Sequence, residues 1–289
     1  MKIIGHQKQL DFLNQSAKSK KLSHAYLFSG QEKLGKKTIA LQWAGLINNQ
    51  AFQEQNPDCI FVAPQDKTIQ IFQIRDLIWR LSLKPSVLLY KIAIINDAHL
   101  MGIDAQHALL KTLEEPKGNS ILILISDHPE ALFPTVRSRC ETIKFYPVPK
   151  NEIVSYLKQQ NISDLEEIVS LSRGRPGEAI EFVLNPQKLE ERKKMTQRLD
   201  EVSKSFLYQR FQCAKELSQQ DNLKETLEIW LDFLRNKFIQ QIQDLEKADS
   251  LNKSNQLKNK LNLLQKLYVL VSAGKVNSKL ALETLFINI

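Results

Sequence analysis

Cysteine is scarce in this 289-residue chain: Cys59, Cys140 and Cys213 stand far apart, and no Cys-x-x-Cys pair occurs. That pattern suggests neither a disulfide framework nor a zinc module. There is no run of about 18 apolar residues and no signal-like start, so no membrane partner is expected and the cytoplasm is the expected compartment. Aromatic and basic residues do not interleave in the manner that stacks bases between cations, which leaves a stand-alone nucleic-acid-binding module as the weakest reading. His24, His99, His107 and His128 have neither metal-ligand spacing nor a nucleophile partner and read as structural. What is present is an ordinary composition, 43% hydrophobic and 25% charged, with room for about two domains. The net charge of +8 is uneven: residues 1–150 carry 19 basic and 13 acidic groups, and residues 251–289 carry 6 and 1. Such a bias permits contact with nucleic acid, although a solvated basic face is the simpler account of any single Lys cluster.

One stretch organises the rest. Residues 30–38 (GQEKLGKKT) nearly match the phosphate-cradling loop G-x-x-x-x-G-K-[ST], in which backbone N–H groups wrap phosphates, the Lys neutralises them and the hydroxyl holds Mg²⁺. Gly30, Gly35 and Lys36 are in place, but the hydroxyl position carries Lys37. Thr38 comes one residue late, which on a helix turns its hydroxyl about 100° away from the metal. The flanks suit a nucleotide site, with a short apolar strand at 25–29 and a helix from Ile39 onward.

Further along, residues 59–62, 91–95, 121–125 and 142–145 read as strands, and Ile71, Ile74, Ile78 and Leu81 repeat at helical spacing. Asp104 is the expected N-cap of a helix bearing Ala105, Ala108, Leu109 and Leu113, stopped by Pro116. Uninterrupted apolar strands between helices imply a parallel sheet covered on both faces, hence an α/β nucleotide-binding type of domain. Beyond Pro147 and Pro149 only helical periods follow, over 153–157, 165–171 and 176–184, with Pro176 placed as a first helical residue. Asn185 and Pro186 break the chain. Two long stripes come next, one through Leu227, Leu231, Leu234, Phe238, Ile242 and Leu245, the other through Leu257, Leu261, Leu264, Tyr268 and Val271. Leu263, Leu267 and Leu270 widen the second, which should therefore pack on several neighbours. An internal bundle and a surface that also builds an oligomer are both compatible with that pattern.

The strand at 92–95 runs into Asn96 and Asp97, where a phosphate-loop ATPase places an Asp for Mg²⁺ and a Glu that activates water. An amide at 96 brings no charge to offset a divalent cation, and Asp97 is one methylene shorter than Glu. Lys37 and Asn96 thus weaken the site toward the same ion, so a catalytically silent loop is expected. The other charged feature is the run Arg137, Ser138, Arg139 and Cys140. An Arg on such a loop beside a subunit interface can stabilise a neighbour's γ-phosphate; the bland alternative pairs it with Glu141 or Glu130. Cys140 reads as a small buried residue.

Residues 22–28 (LSHAYLF), residues 108–116 (ALLKTLEEP) and the triplet Ser138, Arg139, Cys140 resemble the clamp-loader branch of the AAA+ superfamily, and within it the delta-prime subunits of bacterial DNA polymerase III. The similarity covers residues 1 to about 185; the remainder fits only by length and helical character. It implies an AAA+ parallel-sheet module over 1–147, a helical lid over 148–185 and an all-α collar or oligomerisation domain over 186–289. It further implies a hetero-oligomer with gamma/tau-type ATPase subunits and a delta-type subunit, which places a sliding clamp on primed DNA during replication. In that family this subunit usually does not hydrolyse ATP and lends the Arg of its Ser-Arg-Cys motif to a neighbour, here Arg139.

Two departures qualify the resemblance. Residues 48–57 are too short for the Cys-based zinc element of the motor subunits, so no zinc is expected. The lid position of the nucleotide-sensing Arg aligns with Gly177, and a two-residue slip would bring Arg175 there instead. The expectation is a noncatalytic subunit requiring no cofactor, with weak nucleotide or phosphate binding at Gly30, Gly35, Lys36 and Thr38 and degenerate metal and water positions at Asn96 and Asp97. The runner-up is an active ATPase motor or helicase-like loader using Lys36, Thr38 and Asp97.

Overall fold

Alternation along each strand divides the apolar side chains between two layers. In the computed structural model, which describes residues 3–159, 162, 165–219, 223–243, 250–272 and 277–288, five parallel strands are ordered β2-β3-β4-β1-β5. They are β1 (Ala25–Ser29), β2 (Cys59–Val62), β3 (Lys91–Ile95), β4 (Ser120–Ser126) and β5 (Glu141–Lys144). Tyr26, Phe28, Ile92, Ile94, Ile121 and Ile123 face one way, against α1 (Gln7–Lys18) and α2 (Lys36–Ile47), through Leu13, Ile39, Ala40 and Trp43. Ala25, Leu27, Ala93, Ile95, Leu122 and Leu124 face the other way, against α3 (Ile71–Ser82) and α4 (Ile103–Glu114), through Ile74, Leu77, Leu109 and Leu113. Successive strand residues point to opposite faces, so a strand without polar interruption is one buried on both. β5 follows the short α5 (Pro134–Arg137) and buries only Ile143, as an edge strand can.

The helix expected to have Asp104 as its N-cap begins two residues earlier. Gly102 occupies the N-cap with no side-chain hydrogen bond, and Asp104 lies inside the first turn of α4. A carboxylate there is still favoured by the helix dipole.

Next come α6 (Lys150–Lys158), α7 (Leu165–Ser172) and α8 (Pro176–Leu184). The chain divides into two compact units, Met1–Val183 and Leu184–Ile289, so these three helices fall almost wholly in the first. The second is built, in its described residues, of helices and short connections: α9 (Pro186–Lys204), α10 (Leu207–Ser218), α11 (Leu223–Gln243), α12 (Ser250–Ser272) and α13 (Ser278–Asn288). Its core gathers Leu227, Trp230, Leu264, Leu282 and Phe286, and the Trp230 indole donates to the Met195 carbonyl at 2.8 Å. Leu264 and Leu267 of the wide stripe are buried whereas Leu270 is exposed, and α12 packs on both α11 and α13. Leu245, last in the other stripe, lies outside the described residues. No helix among them is long and apolar enough to cross a membrane.

Candidate functional site

Parallel strands deliver their carboxyl ends to one edge of the sheet, where open α/β sheets bind ligands. At that edge β1, β3 and β4 present Gly30, Asn96 and Asp127, in a register that pairs Ser29 with Ser126. The loop after β1 needs its glycines. Gly30 has φ 147°, and a Cβ there would lie 2.3 Å from the Phe145 carbonyl oxygen. Gly35, at φ 91°, caps α2. Lys33 takes φ 60° without that freedom, and Leu34 beside it is buried, its carbonyl 2.9 Å from His6 Nε2.

Lys36 opens α2 and is only 4% exposed. Its Nζ donates to the carbonyls of Gly30 at 2.6 Å and Gln31 at 2.5 Å, and pairs with Asp127 Oδ1 at 2.7 Å. An ammonium has three N–H groups, and these three acceptors match them one for one. The residue meant to neutralise a phosphate is therefore neutralised by a carboxylate of its own chain. Asp127 was not visible from sequence as a site residue. The signal was its position, a polar residue straight after an apolar strand that turns out to lie beside β1.

Around this pair Lys37 and Asn96 are turned to other partners. Lys37 Nζ lies 4.5 Å from the Phe61 ring centroid, a cation–π contact directed at β2,. Thr38 is half-buried in the first turn of α2. The Asn96 amide donates to Asp97 Oδ2 at 2.8 Å, and Asp97 itself sits at φ 52°. Burial and the neighbouring Asp127 charge raise the Asp97 carboxyl above its usual range, against the opposing pull of His99, Lys36 and Lys37. Burial likewise lowers the His99 imidazole, whose ring meets that of His128 edge-on with centroids 5.4 Å apart. Among the described residues no group of three or more His, Cys, Asp or Glu could hold a metal ion.

Helix α8 reaches the same loop. The Gly177 N–H donates to the Lys33 carbonyl at 2.8 Å, and Lys33 Nζ pairs with Glu181 Oε2 at 2.5 Å. A Cβ at 177 would lie 2.9 Å from that carbonyl oxygen and 3.2 Å from Lys33 Cβ. With no side chain at 177, α8 rests on the loop after β1. Arg175, two residues earlier, is ion-paired with Glu178, whose side chain is buried.

Arg139 lies elsewhere in the module, between α5 and β5, and is 34% exposed. Its Nη1 donates to the Thr135 carbonyl at 2.9 Å, and its Nη2 pairs with Glu114 Oε1 at 2.7 Å. Neither Glu130 nor Glu141 is that partner: Glu130 lies 3.1 Å from His128 Nδ1, and Glu141 starts β5. Glu114 ends α4, 25 residues before Arg139, a separation at which sequence offers no pairing signal. Cys140 packs against the core under α4, and burial pushes its thiol up to about 12, so it is inert as a nucleophile,.

Residues 5–149 match the family model described as DNA polymerase III, delta subunit. The chain is 32% identical over 177 residues to DNA polymerase III subunit delta' of Pseudomonas aeruginosa, which covers 53% of this chain and 54% of that protein. It is 30% identical over 202 residues to subunit delta' of Bacillus subtilis, covering 64% and 61%. To subunit tau of the same organism it is 30% identical over 181 residues, covering 57% and 32%. The chain thus spans about half the length of the delta' relatives it matches and a third of the tau relative.

Proposed function

We propose, on the ground that this chain belongs to the DNA polymerase III delta subunit family, that it is a noncatalytic clamp-loader subunit lending Arg139 to an ATP site on a neighbour. Its partners in this reading are tau/gamma-type ATPase subunits and a delta-type subunit, and the assembly acts on a sliding clamp and primed DNA. The observation that carries the reading is the contrast between two cations. Lys36 is buried with all three donors taken, whereas Arg139 is held at the surface with part of its guanidinium in solvent.

The residues at the strand ends do not fit Mg·ATP. An ammonium stands at the hydroxyl position, an uncharged amide at the metal-ligand position, and Asp127 already occupies the anion's place beside Lys36. In this reading the chain hydrolyses no nucleotide of its own. Its own contribution is to stand rigid, with α8 resting on the loop, and to present Arg139, whose planar guanidinium suits bidentate contact with phosphate oxygens.

Replacing Arg139 by Ala in a reconstituted loader tests the reading. An arginine finger is worth roughly 10³–10⁵ in turnover at the site it serves, so DNA-stimulated ATPase should fall while the circular dichroism of the isolated chain stays as in the wild type. Unchanged turnover would remove Arg139 from the mechanism. Tight, metal-dependent Mg·ATP binding with turnover by the isolated chain would overturn the noncatalytic role.

A further inference from the structure

We propose that Glu114 is the positioning residue for Arg139, and that α4 is the template on which the Ser-Arg-Cys segment is built. This rests on the reading of Arg139 given above. Two anchors on α4 hold that segment. Gln106 is buried; its Oε1 accepts the Phe133 N–H at 2.8 Å, and its Nε2 donates to the carbonyls of Ala131 and Met101, each at 3.2 Å. The amide thereby fixes the turn that leads into α5. Glu114 lies eight residues further along, about 12 Å up the helix axis, and takes Arg139 Nη2 at 2.7 Å while the Thr135 carbonyl takes Nη1 at 2.9 Å. With both terminal nitrogens engaged, the guanidinium plane is set before any partner arrives.

The placement of Glu114 is informative in itself. The last turn of a helix carries the negative end of its dipole and disfavours a carboxylate, so an acid there is stabilised by a cation brought to it. Arg139 is that cation in this fold. The pair is also exposed, 34% on the Arg and 49% on the Glu, and an exposed pair is weak enough to exchange. Phosphate oxygens of a neighbouring subunit can then replace Glu114 on a guanidinium already extended and oriented, which lowers the ordering cost of docking. Glu114 touches no substrate in this scheme; it acts through Arg139.

The test uses the full reconstituted loader on primed DNA, with steady-state ATPase measured against ATP concentration. Glu114→Gln should lower kcat ~10-fold with KM unchanged, a smaller loss than the roughly 10² attached to a 1 Å misplacement of a catalytic group. Glu114→Asp should recover most of it. In an Arg139→Ala background, Glu114→Gln should cost nothing further, because a residue that works through another is silent once that other is gone. Thermal unfolding of the isolated chain should be the same with and without Glu114→Gln. Normal kcat in Glu114→Gln beside an impaired Arg139→Ala overturns this inference alone, as does an additive double variant or a loss of stability that accounts for the defect. If Arg139→Ala itself turns over normally, it is the finger reading that falls.

Discussion

Two cations in the α/β unit carry opposite fates. Lys36 sits at the carboxyl ends of the central strands, with Asp127 and two loop carbonyls saturating its ammonium. Arg139 sits between α5 and the edge strand β5, tied by one exposed carboxylate and one carbonyl. Burial decides the difference. A charge in the interior must have every donor met by its own chain, since desolvation otherwise costs several kcal/mol. A charge at the edge can keep a provisional partner and exchange it. In the proposed reading the buried, fully paired Lys36 serves the fold, while Arg139 with its weak partner serves another molecule,.

The largest effect should come from breaking the interior pair. Asp127→Ala leaves a buried ammonium with two carbonyls and no counter-charge, which should destabilise the chain by ~3–5 kcal/mol in urea unfolding. A change below about 1 kcal/mol would place the Lys36 pair among ordinary surface pairs and erase the contrast.

A second buried pair extends the comparison to acid. Asp58 accepts the N–H groups of Ser86, Val87 and Leu88 and lies 3.2 Å from Lys91 Nζ. Burial alone would raise its carboxyl, but the Leu88, Val87 and Ser86 donors together with Lys91 override it and lower the group from 3.8 to about 2. The depressed value means that folding favours the ionised form. Its contribution is therefore whole above pH ~4 and is lost as the pH falls through ~2, amounting to ~2 kcal/mol. Wild type should lose that much more stability than Asp58→Asn across this window when unfolding is followed against pH. Parallel curves for the two proteins would show that the carboxylate is not held in this way.

The smallest effect concerns α8. Gly177→Ala puts a methyl 2.9 Å from the Lys33 carbonyl oxygen. Overpacking costs ~1–3 kcal/mol, and Ala's better helix propensity returns up to ~1 kcal/mol, so thermal unfolding should report a net loss near 1 kcal/mol. A stabilised variant would mean that α8 does not press on the phosphate loop.

Much of the α/β unit was legible because its signals are local. Residues 59–62 and 91–95 read as strands and are β2 and β3; Pro176 reads as a first helical residue and begins α8. Asp104 was misread because Ile103 already has helical geometry and Gly102 takes the cap. Lys37 and Asn96 could be recognised as departures since a spaced motif supplies the comparison. Asp127 and Glu114 could not, because their partners lie 91 and 25 residues away in the sequence and no spacing rule spans a sheet crossover.

The sequence by itself determined the parallel sheet covered on both faces, the loop after β1 and the surface motif at Ser138–Cys140, because periodicity, glycine placement and residue type are properties of neighbouring positions. The tertiary structure alone decided which cation is buried with its donors met and which stays partly in solvent. Strand order sets Asp127 against Lys36, the absence of a side chain at Gly177 admits α8 to the loop, and the end of α4 brings Glu114 to Arg139. Coulomb interactions fall off with distance through space rather than along the chain, so a charge finds its partner only when the fold is complete.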